Sequence, residues 1–263
     1  DTLIVGSSAA DSGISPSQLS GSAFNLANAG QTPYYDDKLV TKAIEQLPKL
    51  RRVIIAITYI SFEYQIHDSP ESWRQYLYHQ VWGISPQGEI DRMDIRMWSR
   101  AAFLLPQLLK SLVHKSFANL APNVDVRGFS VIHGERDTPD LGQKAAQVRL
   151  AVHHGLMKTE HAPANIASLE HLLSILQQQN VQVVVVAMPV WHTYADAMRP
   201  LAWAKTESTL ERMTKQYGAR YLSFLSQSRL ESRDFLNLDH LNERGAIRFT
   251  QMLNAALESP RQE

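Results

Sequence analysis

The run Thr2-Leu3-Ile4-Val5-Gly6-Ser7-Ser8 decides how this chain is read. Four apolar or β-branched residues in succession make a strand buried on both faces, because a half-exposed strand would alternate apolar with polar. A glycine and two hydroxyls then stand where the strand must turn. Two further runs of this kind follow, Val53-Ile54-Ile55-Ala56-Ile57 and Val181-Gln182-Val183-Val184-Val185-Val186-Ala187. Ala23-Phe24-Asn25-Leu26 and Arg220-Tyr221-Leu222 are shorter strand candidates. Helical stripes lie between them. Ile166, Leu169, Leu172, Leu173 and Leu176 share one face of a helix over 165–179. Gly218 closes a helix over 207–217. A last helix, begun near Gly245, carries Ile247, Phe249, Met252 and Leu253 on its inner side. Buried strands alternating with helices predict an α/β domain, in which a five-strand, mainly parallel sheet lies between two helical layers.

The alternation breaks once. From about Ser61 to Ala162 the chain reads as mostly helical, with an amphipathic helix over 93–117 interrupted at Pro106. The strand series resumes afterwards, so this stretch is expected to be a helical insertion within a single domain spanning 1–263. It leaves the sheet after the third strand and is expected to cap the crevice there. Its Trp73, Tyr76, Trp82, Trp98 and Phe103 suit a carbohydrate platform or an apolar docking face. A helical layer packed elsewhere on the domain is the alternative.

The 263 residues are 44% hydrophobic and 20% charged, too apolar for a disordered chain. Lys+Arg and Asp+Glu both total 26, a balance that argues against a nucleic-acid partner. With no cysteine there is no disulfide, thiolate nucleophile or Cys-ligated zinc. The longest uncharged runs, such as 181–195, fall short of the roughly 20 apolar residues a membrane helix needs. The chain opens at Asp1 without a methionine and a strand follows at once, so an N-terminal piece is expected to have been removed.

Two short segments carry chemistry. In open parallel sheets ligands bind beyond the carboxyl ends of the strands, which is where Gly6-Ser7-Ser8 falls. Glycine permits the turn, and a serine there becomes a nucleophile once a base takes its proton. The alternative is an ordinary Gly-Ser turn. The second segment, Asn237-Leu238-Asp239-His240-Leu241-Asn242-Glu243-Arg244-Gly245-Ala246, leads into the last helix. His240 stands there with acceptors nearby in Asn237 and Asp239, as a base needs for its tautomer to be fixed. Read plainly, the segment is also a helix start capped by Asp239 or Asn242.

Together these segments resemble the GDSL/SGNH hydrolase superfamily, over roughly residues 1–60 and 163–258. The resemblance implies a three-layer, flavodoxin-like SGNH fold, with Ser8 as nucleophile and His240 as base. The block Asn25-Leu26-Ala27-Asn28-Ala29-Gly30 looks like the one that supplies an oxyanion amide, which points to Gly30 beside the amide of Ser8. Two positions depart from the pattern. Asn237 stands where the usual acid lies, leaving either Asp239 or Asn237 to orient His240, or a Ser-His dyad. The Gly-x-Asn-Asp block is replaced by Thr58-Tyr59-Ile60-Ser61, with Thr58 and Ser61 as helpers in the oxyanion site.

The Gly-Ser-Ser start and Asp-His-Leu-Asn finish are similar to an extracytoplasmic, membrane-anchored branch, the DltD-like D-alanine transfer proteins of envelope modification. Met188-Pro189-Val190-Trp191-His192-Thr193-Tyr194 resembles a segment of that branch and makes Trp191, His192 and Tyr194 candidates for a substrate wall. A loop packed on the core is the alternative for them. The resemblance implies a serine acyl esterase or O-acyltransferase acting in the periplasm or at the cell surface. Its substrate would be an acylated glycan or teichoic-like envelope polymer, and its partner a membrane O-acyltransferase. It implies no cofactor and no metal. The rival reading is a catalytically weak or inactive protein of the same fold that binds an envelope glycan or a membrane partner, which Asn237 favours. A flavodoxin-like nucleotide or flavin binder is disfavoured by the absence of a phosphate-binding glycine loop. His153, His154 and His161 lack a metal-ligand spacing and are expected on the surface or on a helix face.

Overall fold

Strands β1 (Thr2–Gly6), β2 (Ala23–Asn25), β3 (Arg52–Ile57), β4 (Gln182–Ala187) and β5 (Arg220–Ser223) form one sheet. Their order is β2-β1-β3-β4-β5, and every neighbouring pair is parallel. This computed structural model describes residues 1–88, 91–99, 101–103, 123–132, 139–198 and 203–259. The α/β class expected from the strand runs is the one found.

Strand periodicity sorts the sheet residues into two cores. Ile4, Ile54, Ala56, Val184 and Val186 face one side, where they pack with Ala9 and Ala10 of α1 (Ser8–Asp11) and with Phe249, Leu253 and Leu257 of α8 (Glu243–Glu258). Leu3, Val5, Val53, Ile55, Ile57, Val183 and Val185 face the other. There they meet Val40 of α2 (Pro33–Ile44), the Leu169–Leu176 stripe of α5 (Ala162–Gln178), and Leu210 and Met213 of α7 (Ala204–Gln216). Both faces are covered, which is why these strands carry apolar residues at nearly every position. Each such side chain contributes about 1.5–3 kcal/mol on burial.

A third apolar cluster sits at the carboxyl edge of the sheet. It joins Ala146 and Leu150 of α4 (Gln143–Leu156) to Tyr194, Ala195 and Met198 of α6 (His192–Met198), and to Tyr59, Leu225 and Leu238.

The expected insertion over 61–162 is divided. Gln65–Asn123 forms a compact unit of its own, whereas Val124 onward belongs to the α/β unit. Within Gln65–Asn123, α3 (Arg74–Trp82) buries Tyr76 and Tyr78, and Arg96 lies over the Tyr76 ring at 5.0 Å. Tyr76 is therefore no part of an exposed aromatic face, although Trp82 and Trp98 are exposed. The helix expected over 93–117 is not present in its first turns, where residues Ile95–Met97 form a short 3-10 turn. Asp91 accepts from the Met93 N–H, and Asp94 accepts from the Arg96 N–H as the cap of that turn. Residues 104–117 lie outside the described residues.

The return limb of the insertion is tied to the sheet edge. The Asn25 N–H donates to the Arg127 carbonyl at 2.8 Å, the Ser130 hydroxyl donates to Asp11 at 2.7 Å, and the Glu243 N–H donates to the Ile132 carbonyl at 3.0 Å. Among the described residues no helix is long and apolar enough to cross a membrane.

Candidate active site

β1 ends in a glycine because nothing larger fits. Gly6 has φ +137°, and a Cβ there would lie 2.7 Å from the Ala56 carbonyl oxygen on β3. Both of its peptide groups are held. The carbonyl accepts from the Asn28 N–H at 3.1 Å, and the N–H donates to the buried carboxyl of Asp36 on α2. Asp36 also accepts from Gln31 Nε2 at 2.7 Å. Burial pushes the Asp36 carboxyl up to about 7, against the opposing pull of its Gln31 and Gly6 hydrogen bonds. Ser7 then stands at the N-cap position of α1 in an extended conformation, with no capping bond from its side chain, and Ser8 heads the helix, where first-turn N–H groups have no acceptor within the helix.

The base arrives on the loop before α8. The loop is closed by an antiparallel bridge between Phe235 and Leu241, and the Leu236 N–H donates to the His240 carbonyl at 2.9 Å. Asn242 caps α8 by accepting from the Gly245 N–H at 3.0 Å, so the capping role foreseen for Asp239 or Asn242 falls to Asn242. Gly245 is required there, since a Cβ would lie 1.9 Å from the Asp234 carbonyl oxygen. The fully buried Asp234 is bracketed by Arg244 at 3.0 Å and Arg248 at 2.6 Å, which pins the helix start.

Across 232 positions of sequence, Ser8 Oγ and His240 Nε2 lie 2.8 Å apart. That is hydrogen-bond distance for a nucleophile and its base. On the far side of the ring, Nδ1 has two acceptors. Asn237 Oδ1 is at 3.2 Å and Asp239 Oδ1 at 3.4 Å. Asn237 Oδ1 also accepts from the Asp239 N–H at 3.1 Å, so it is fixed in place. Both candidate orienters are thus brought to the imidazole.

Asp239 is not free to serve the imidazole alone. Arg149 of α4 donates from Nε to Oδ1 and from a terminal nitrogen to Oδ2, both at 2.9 Å. His153, one turn later on the same face, places Nε2 3.5 Å from Oδ2. Burial favours the neutral Asp239 acid, but the hydrogen bonds and charges of His240 and Arg149 outweigh it and hold the carboxyl below its usual range. Burial also lowers His153 to about 4, against the pull of Asp239. His153 is therefore a buried neutral ring, 7% exposed, and of the two places expected for it, surface or helix face, it takes the helix face. His161 is buried as well, while His154 is exposed and bonds to the Tyr59 hydroxyl at 2.8 Å.

The other candidates take varied places. Gly30 lies in the turn that follows β2, the strand next to β1, with φ +69°, at the same carboxyl edge of the sheet as Ser8. Thr58 and Ser61 close the end of β3 on each other: their hydroxyls are 3.0 Å apart, and Ser61 Oγ accepts from the Thr58 N–H at 2.9 Å. Trp191 donates its backbone N–H to the Leu238 carbonyl at 2.8 Å and packs edge-on against Phe235, which ties the end of β4 to the His240 loop. His192 is exposed beside it. Tyr194 does not form a wall. It is 1% exposed, its hydroxyl is hydrogen-bonded to His153 Nδ1, and burial raises its phenol above the usual range. Among the described residues no cluster of three or more His, Cys, Asp or Glu could hold a metal ion.

Arg149, His153 and Asp36 were not foreseen. The first two stand four positions apart on a helix and so share a face, which was the available signal.

No protein-family model matches the chain, and no characterised protein matches it either.

Proposed function

We propose that the chain is a serine acyl esterase or O-acyltransferase of the SGNH type. The observation that carries the reading is the 2.8 Å contact between Ser8 Oγ and His240 Nε2 at the carboxyl edge of the parallel sheet. Ser8 Oγ attacks the carbonyl carbon of an acyl ester as its proton passes to His240 Nε2. The resulting oxyanion is received by the N–H groups of Ser8 and Gly30. Collapse breaks the bond to the leaving alcohol, which takes the proton from His240 and leaves an acyl-Ser8 ester. Water or an acceptor hydroxyl then attacks that ester, its proton passing through His240 and back to Ser8. The resemblance to envelope-modifying proteins directs the substrate reading to acylated glycans or teichoic-like polymers outside the cytoplasm. It also directs the partner reading to a membrane acyltransferase, and the localisation reading to an anchored periplasmic or surface protein.

One observation favours a second reading, a catalytically weak protein that binds such a polymer: Arg149 pairs with the only carboxylate found against the imidazole among the described residues. The two readings separate on acyl release from a small aryl ester and from an O-acetylated polysaccharide. The esterase reading expects Ser8→Ala to lower turnover about 100-fold or more on both. Turnover that matches Ser8→Ala from the outset, with retained polymer binding, selects the second reading.

A further inference from the structure

The ring of His240 meets groups of two elements directly and, through Asp239 and His153, groups of two more. Ser8 of α1 meets Nε2. Asn237 and Asp239 of its own loop meet Nδ1. Arg149 and His153 come from α4, with His154 beyond them, and Tyr194 of α6 is hydrogen-bonded to His153. Among these, Asp239 is the one anion and Arg149 the one permanent cation. Asp239 lies between the two bases, with Oδ1 toward His240 and Oδ2 toward His153.

The proton on His153 follows from its neighbours. With Nε2 3.5 Å from a carboxylate oxygen, a lone pair there would face negative charge, so Nε2 carries the hydrogen and Nδ1 accepts from the Tyr194 hydroxyl. His153 thus lends Asp239 a weak neutral donor, while Arg149 supplies two strong charged ones in the fork geometry suited to a carboxylate. A carboxylate held in that fork is fixed in position and has much of its charge cancelled.

We propose that Arg149 is a positioning residue for His240. By gripping both oxygens of Asp239 it sets the carboxylate beside Nδ1 and moderates its charge, so the basicity of the imidazole is set from a helix of the return limb. The proposal deepens the esterase reading and rests on it for its functional meaning. The resemblance gives no role to residues 124–162, and this assigns one to α4.

The test is an NMR titration of the His240 ring, its signal assigned by comparison with His240→Gln, in the wild-type chain and in Arg149→Met, Arg149→Lys and Asp239→Asn. Removing the guanidinium leaves Asp239 with His240 as its main cationic partner. The midpoint in Arg149→Met is expected to rise by about one pH unit, the lower end of what an opposite charge at this range produces. Lysine keeps the charge and loses the fork, so Arg149→Lys is expected to rise by less and to carry the test if the methionine variant does not fold. Asp239→Asn, which leaves Arg149 facing the ring alone, is expected to fall. A midpoint that is unmoved or lowered in the folded Arg149 variants overturns the proposal. The measurement reads the ring signal whether or not Ser8 reacts. Absent ester turnover in the wild-type chain would therefore sink the esterase reading while leaving this titration interpretable.

Discussion

The two halves of the candidate site are held by different kinds of force. On the nucleophile side, the Gly6 peptide is clamped by an N–H from Asn28 and by a carboxyl that burial keeps half-neutral near pH 7. Its partners lie within about thirty positions of it. On the base side, peptide hydrogen bonds close the His240 loop and charge is added to them. Arg149 grips Asp239 from 90 positions away, with a buried neutral histidine beside them. Steric fit and peptide hydrogen bonds fix where Ser8 stands. A charge pair fixes the carboxylate that stands beside His240. The two sides therefore respond to pH with opposite signs.

Asp36 gives the larger response. Its carboxyl is raised from the ordinary 3.8 to about 7, so between those values the unfolded chain has ionised while the folded chain keeps its proton. The stability it contributes is full below about pH 4 and lost as pH rises toward 7. Three units correspond to on the order of 4 kcal/mol. Asp36→Asn is expected to gain up to that amount at pH 8 and little at pH 4, measured by urea unfolding. An equal change at both pH values would remove the carboxyl's ionisation from the account.

His153 works the other way. Lowered from 6.5 to about 4, it contributes stability present above 6.5 and lost as pH falls through 4, on the order of 3 kcal/mol. His153→Gln should flatten that acid limb. Persistence of the full acid loss in the variant would place its cause elsewhere.

The smallest effect sharpens the base side itself. Asn237 orients the imidazole without lending it charge, so Asn237→Asp adds an uncompensated carboxylate at Nδ1. The change is expected to raise kcat/KM on a small ester about tenfold, and Asn237→Ala to lower it by a similar factor. An unchanged rate in Asn237→Asp would mean that Asp239 already supplies the charge despite Arg149.

This division also explains what could be read from the sequence. The sheet was legible because strands buried on both faces must be apolar at nearly every position, as in Val183–Ala187. Ser8 and His240 were legible because each stands in a local pattern, a glycine turn after a strand and a loop before a helix. Arg149 and His153 share a helix face, but their partner Asp239 is set by tertiary packing that one sequence does not display. Asp36 reads as an ordinary acid in the first turn of a helix, and only the seating of α2 against Gly6 turns it into a clamp. The helix foreseen from residue 93 gives way at its start to a short turn capped by Asp94. The apolar spacing of Met93 and Met97 concealed that cap.

Intact-mass and peptide mass spectrometry after treatment with a fluorophosphonate reads whether Ser8 is a nucleophile activated by His240. A single adduct on Ser8 is expected in the folded wild-type chain. None is expected in Ser8→Ala, and labelling should slow about 100-fold or more in His240→Ala. No adduct, an adduct on another residue, or labelling that proceeds at the wild-type rate without His240 would contradict that role for Ser8.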